Sequence, residues 1–134
     1  MFNQKNLPLF APVVLRLGLS VVMLWFGISQ LMNSGMWVGM VPNWAVALSG
    51  LEPATIVHLN GVFEVLAGTM LAVGIFTRWV AALLFVHLLI ITVDLGMTAV
   101  GVRDFGLSFS LLALALFGSD KYCFEYKQEA DDKK

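Results

Sequence analysis

Three stretches of the chain, 10–32, 54–76 and 79–100, are almost uninterrupted runs of apolar residues with one formally charged side chain each, Arg16, Glu64 and Asp94. A helix that crosses a bilayer needs about 20 mainly apolar residues, because the hydrocarbon core is about 30 Å thick and each helical residue rises about 1.5 Å. Each run meets that length. The rest of the composition agrees: of 134 residues 59% are hydrophobic and 13% charged, whereas soluble domains carry roughly 25% charge. A water-soluble fold of this size has too little interior to hide so much apolar surface. More than half of the charged side chains lie from Asp120 onward, which leaves the apolar runs nearly bare.

The fourth run, 103–118, is shorter. Counted from Asp104 to Gly118 it covers about 22 Å as a helix, so Val102, Arg103 and Asp104 are expected to be drawn into the protein at membrane depth, where the Arg and the Asp neutralise each other. The fold class that follows is all-α: a transmembrane four-helix bundle over 1–118, with spans at about 10–32, 54–76, 79–100 and 103–118 and a polar tail over 119–134. Between the first two spans, Trp37, Met40, Val41, Trp44 and Leu48 fall at helical spacing, and Pro42 suits a helix that starts at about Asn43. A short interfacial helix with its tryptophans at headgroup level is the first reading; a lid folded over the bundle is the second. The second and third spans are separated by little more than Thr77 and Arg78, so they are expected to be antiparallel neighbours.

With the N-terminus inside, all basic residues except Arg103 collect on one side of the membrane: Lys5, Arg16, Arg78, Lys121, Lys127, Lys133 and Lys134. That is the asymmetry of the positive-inside rule, with both termini cytoplasmic. The first run is longer than a signal-peptide core and has no small-x-small cleavage pattern, so it is expected to stay as an anchor. The tail mixes acids with lysines and reads as a solvated, frayed segment.

Polar groups at membrane depth are costly and face the bundle interior. Asn60 and Glu64 share a helical face, Glu64 near the midplane; His87 lies halfway along the third span, with Asp94 two turns further on its face. Asn60, Glu64, His87, Asp94, Arg103 and Asp104 are therefore the candidate ligand-binding residues, forming a polar pocket open towards the outer face. For Glu64 the alternatives are a titrating or ligand-binding carboxylate and a buried structural acid; for His87, a proton or quinone-carbonyl partner and a simple hydrogen bond between helices. His58, one turn inside the outer interface, reads as solvated or structural. Arg16 either snorkels to the phosphates or reaches towards Glu64. If the Arg103–Asp104 pair holds the fourth span, Asp104→Ala should destabilise the bundle far more than Asp120→Ala.

Several chemistries are excluded. One cysteine, Cys123, rules out an internal disulfide or a dithiol pair in a single copy. Two histidines without a common face make only a weak metal or haem signal, and there is no glycine-rich nucleotide loop and no basic patch suited to nucleic acid.

Arg16-Leu-Gly-Leu, Phe26-Gly-Ile-Ser-Gln-Leu31, Val41-Pro-Asn-Trp44, the segment Glu64-Val-Leu-Ala-Gly-Thr-Met-Leu-Ala-Val-Gly-Ile-Phe-Thr-Arg78 and Arg103-Asp-Phe-Gly-Leu107 occur in the order and spacing of a known family. Together they make the chain resemble the DoxX family of small four-helix membrane proteins, relatives of the DoxD proteins that look like subunits of a thiosulfate:quinone oxidoreductase. The resemblance implies the inner (plasma) membrane of a prokaryote and an accessory, non-catalytic role in a quinone-linked redox system. In such a role quinone is the candidate cofactor and a redox protein the candidate partner alongside the lipid bilayer. Where many relatives carry a Lys, this chain has Gln30, which argues against sulfur-anion chemistry. Two alternatives stay open: a binding or assembly protein for a partner protein, lipid or small hydrophobic ligand, and a proton-coupled transporter, for which a homodimer would widen the path.

Overall fold

The computed structural model describes residues 7–131; Lys5, Lys133 and Lys134, three of the basic residues that set the expected orientation, lie outside them. Four long helices, α1 (Leu7–Met32), α3 (Pro53–Val73), α4 (Thr77–Leu95) and α5 (Ala99–Phe117), are each long and apolar enough to cross a membrane. Between α1 and α3 the chain makes two 3₁₀ turns, Ser34–Met36 and Val38–Met40, and a short helix, α2 (Asn43–Ser49). A last helix, α6 (Phe124–Asp131), follows α5. The protein is a four-helix transmembrane bundle with a structured loop at one end, here the loop end, and both described chain ends at the other.

Local chemistry sets the helix ends. Pro42 precedes α2 in an extended conformation, and Gly50 closes it in the left-handed region at φ 66°, where a residue without Cβ meets no steric penalty. Pro53 occupies the first position of α3, where its missing N–H costs nothing. The Thr98 hydroxyl accepts from the Gly101 N–H at 3.0 Å and caps α5. That cap starts α5 at Ala99, several residues earlier than the sequence spacing suggests, so the fourth span is as long as α4. Arg103 and Asp104 fall within its first two turns, but of the three residues expected to be drawn into the protein only Asp104, which faces the helix pairs, is buried, while Val102 and Arg103 stay exposed. Thr77 and Arg78 are likewise the first turn of α4; the connection from α3 is Gly74 to Phe76, with Phe76 itself left-handed at φ 50°.

The helices associate as two close pairs, α1 with α3 and α4 with α5; α3 and α4, adjacent in sequence, touch less extensively. The first pair is tight because glycines meet across it. A Cβ on Gly27 would lie 2.8 Å from the Gly61 carbonyl oxygen, and one on Gly61 would lie 2.9 Å from that of Gly27. In lipid, where apolar side chains gain nothing by leaving the solvent, such backbone approach is what draws helices together. Leu19, Met23, Ala67, Leu71, Leu84, Leu88, Leu111 and Leu114 fill the space between the pairs, while Val14, Val21, Leu66, Trp79, Val93 and Leu116 point outward.

Two expectations fail at the end away from the loop. The described tail is docked, not solvated and frayed: Asp120 and Cys123 are buried, and the Glu125 N–H donates to the Gly74 carbonyl at 3.2 Å. Arg16 neither snorkels nor reaches Glu64. Its Nε donates to Asp120 Oδ2 at 2.8 Å and its Nη1 to the Leu71 carbonyl at 2.8 Å and to that of Ala72. The physical reason is shared: α3 ends at Val73, which leaves its last carbonyls without helical partners, and a guanidinium with five donors satisfies two of them and the Asp120 carboxylate at once.

Candidate functional site

At the loop end the two helix pairs separate around a cavity of about 150 Å³. All four long helices and the loop line it. Met23, Phe26 and Gln30 come from α1, Ile56, Val57, Asn60 and Glu64 from α3, Leu88, Ile91 and Leu95 from α4, and Val100, Arg103, Asp104 and Leu107 from α5. Trp37, Met40, Val41 and Pro42 close it from the loop. α2 is a short helix starting at Asn43, and the 3₁₀ turns before it cover the cavity, as the second sequence reading expects. Trp37 is held in place by its indole N–H, which donates to Ser29 Oγ at 3.2 Å, and by an edge-on contact with Phe26 at 5.5 Å between ring centroids.

Glu64 is the deepest polar group of the lining and is buried. Its carboxylate accepts from Gln30 Nε2 at 2.8 Å and from Asn60 Nδ2 at 3.1 Å, and His87 Nε2 lies 3.4 Å from Oε1. Asn60 Nδ2 also donates to Gln30 Oε1 at 2.8 Å. Four polar side chains from α1, α3 and α4 therefore form one network, which removes the cost that each would carry alone in a low-dielectric interior. His87 stands outside the cavity lining, edge-on to Phe63 with centroids 4.9 Å apart.

Arg103 and Asp104 form the second polar element. Arg103 Nε and Nη2 both reach Asp104 Oδ1 at 2.8 Å, and the guanidinium carbon lies 4.7 Å from the centre of the Phe26 ring, a cation–π contact between α5 and α1. Asp104 is buried, whereas the Arg103 side chain is 45% exposed.

Of the six residues singled out from the sequence, Asn60, Glu64, Arg103 and Asp104 line the cavity, and His87 joins it through Glu64. Asp94 does not: it accepts from the Trp44 indole N–H at 3.2 Å on the exposed side of the loop end. Gln30 was noted in the sequence only as a departure from relatives. In the structure it is buried and bonds both Glu64 and Asn60, and a lone amide in the apolar run of α1 was the signal for it. The lining combines an aromatic and aliphatic wall with amides, carboxylates and a guanidinium.

At the opposite end Arg16, Asp120, Cys123, Thr77 and Glu125 make a latch that ties the tail to the bundle. Burial pushes the Asp120 carboxyl up, but the Arg16 hydrogen bond, the Tyr122 N–H and the Arg16 charge together outweigh it and hold Asp120 below its ordinary value. Burial raises the Cys123 thiol, more than its contact with Thr77 Oγ1 at 3.5 Å and the nearby Arg16 lower it. The Glu125 carboxylate accepts the Thr77 N–H at 3.1 Å, capping the start of α4.

The family model for DoxX matches residues 11–97 of the chain, which takes in α1 to α4 with the loop, Gln30, Asn60, Glu64 and His87. The chain belongs to the DoxX family. No curated protein and no solved structure matches it. Within this DoxX protein, the matched region holds the Glu64 network and the loop over the cavity, whereas Arg103 and Asp104 come from α5, beyond the matched residues.

Proposed function

We propose that this DoxX-family protein is a non-catalytic membrane subunit that holds a small, mainly apolar molecule in its loop-end cavity and so serves a quinone-linked redox system, with both termini cytoplasmic and the cavity in the outer half of the bilayer. One observation carries the reading: a partly open space bounded by four helices and a loop, with a buried, mutually bonded polar cluster at its inner end. Binding sites for small molecules have this make-up, apolar walls with a few fixed polar groups. The volume suits a single six-membered ring, since an apolar cavity of about 150 Å³ accepts benzene. A one-ring quinone head is of that size. The reaction itself requires a partner protein, because the lining offers no electron carrier.

Binding of a short-chain benzoquinone to the purified protein in detergent tests this reading. The wild type should show a saturable signal and a raised melting temperature. Val57→Phe, which places a ring in the cavity, should abolish both without lowering the melting temperature of the free protein by more than a few degrees. Absence of saturation in the wild type, or undiminished binding by Val57→Phe, would sink the proposal. A second reading, docking of a partner protein on the loop, is supported by the exposed Met36, Trp44 and Leu48 beside the cavity. Loop substitutions that release a co-purifying protein while leaving quinone binding intact would favour it.

A further inference from the structure

We infer that the head group this cavity selects is a neutral ring bearing a hydroxyl, a hydrogen-bond donor, in preference to the same ring bearing only acceptors; the inference rests on the binding reading above and names the chemistry of the occupant.

The polarity of the Glu64 network fixes which atoms remain free. A carboxylate offers acceptors only, so the Gln30 and Asn60 amides turn their nitrogens towards it, and Gln30 Oε1 is taken by Asn60. Both Asn60 amide hydrogens are then used, and its Oδ1 accepts no hydrogen bond among the described residues. Across the cavity, both Arg103 nitrogens that reach Asp104 go to Oδ1, and Oδ2 accepts none among the described residues. Two residues of the lining, on α3 and α5, thus each present an unfilled acceptor. On the donor side there are one remaining Gln30 amide hydrogen and the three Arg103 N–H groups that Asp104 does not take, the latter on a half-exposed side chain. The Trp37 N–H is already given to Ser29. An occupant with an O–H therefore meets open acceptors and can still accept from Gln30 or Arg103, while one with only carbonyl or ether oxygens finds donors but leaves both acceptors desolvated. Unmet polar groups of that kind are the strongest source of discrimination between ligands of equal shape.

Charge points the same way. Arg103 stands against Asp104, and His87 stands against Glu64. An anionic head would meet two carboxylates, and a cationic one would meet Arg103 and find each carboxylate already beside a basic group. A neutral donor offends neither. For a quinone couple the favoured member is the hydroquinone.

The test uses two probes that differ in one atom pattern and undergo no redox change: 4-propylphenol and 4-propylanisole, each titrated at equal micellar mole fraction against the full-length protein, with saturable quenching of tryptophan emission as the readout. One hydrogen bond of ordinary strength predicts that the phenol binds roughly threefold to tenfold more tightly. Equal or inverted affinities overturn the inference and leave the binding reading standing. If neither probe saturates, both fall. Asn60→Leu should bring the phenol down to the level of the anisole while anisole binding persists; a phenol preference unchanged in Asn60→Leu would also count against the assignment. Should that variant not fold, the wild-type ratio decides alone.

Discussion

Replacing Asp120 by Ala leaves the Arg16 guanidinium buried with two carbonyls and no counter-charge. Breaking a buried pair on one side costs about 3 kcal/mol or more, so thermal unfolding in detergent should show a large loss. Asp104→Ala releases an Arg103 that is half exposed and can turn to water or headgroups; its loss should be about 1 kcal/mol or less, as for exposed pairs. This is the reverse of the order the sequence suggests. Arg103 and Asp104 are neighbours in the chain and announce their pairing, whereas Arg16 and Asp120 are joined only by the way α3 ends beside the tail, which no local pattern reports. The two titrating groups of the latch act in opposite directions. The folded-state value of Asp120 is depressed, so its contribution is present above the ordinary aspartate value of about 3.9 and is lost as pH falls below it. The folded-state value of Cys123 is raised, so its contribution is present below the ordinary thiol range and is lost as pH climbs above about 8.5. A pH series of melting temperatures should therefore fall off on both flanks, and Asp120→Asn should flatten the acid flank. Maleimide labelling of Cys123 at pH 7 should be slow in the folded protein and fast after unfolding.

For the helices, length and apolarity made the spans legible, and Pro42 marked the start of α2. The boundaries shifted where side chains decide them: the Thr98 hydroxyl begins α5 early, and the Gly74 turn moves Thr77 and Arg78 into α4. Which helices pair closely was not legible, because the short α3–α4 connection says only that they are neighbours, whereas the α1–α3 contact depends on two glycines separated by more than thirty residues of chain. Gly27→Ala and Gly61→Ala each force a methyl against a backbone oxygen, which a helix can relieve only by moving, so each should cost about 2 kcal/mol. Gly18→Ala is the internal control. Nothing lies within 4 Å of its added carbon, and alanine is the better helix former by about 1 kcal/mol, so that variant should melt at or above the wild type.

Across the whole molecule the two ends do different work. The end away from the loop is closed by the Arg16–Asp120 latch, and the loop end holds a cavity in which residues from every long helix meet. Asn60 and Glu64 could be placed together from their spacing of one helical turn; Gln30, which completes their network from another helix, could not, because its partners are set by the α1–α3 approach. The central claim is that the cavity under Trp37 is where a ring-sized ligand binds. Trp37 is one of four tryptophans, and Trp79 lies at the start of α4, at the far end of the bundle. The measurement is short-chain benzoquinone quenching in two single-tryptophan proteins, one keeping Trp37 and the other keeping Trp79, with phenylalanine at the remaining positions. Saturable quenching of Trp37 with only linear, collisional quenching of Trp79 is the predicted result; linear quenching of both, or saturation at Trp79, would contradict it.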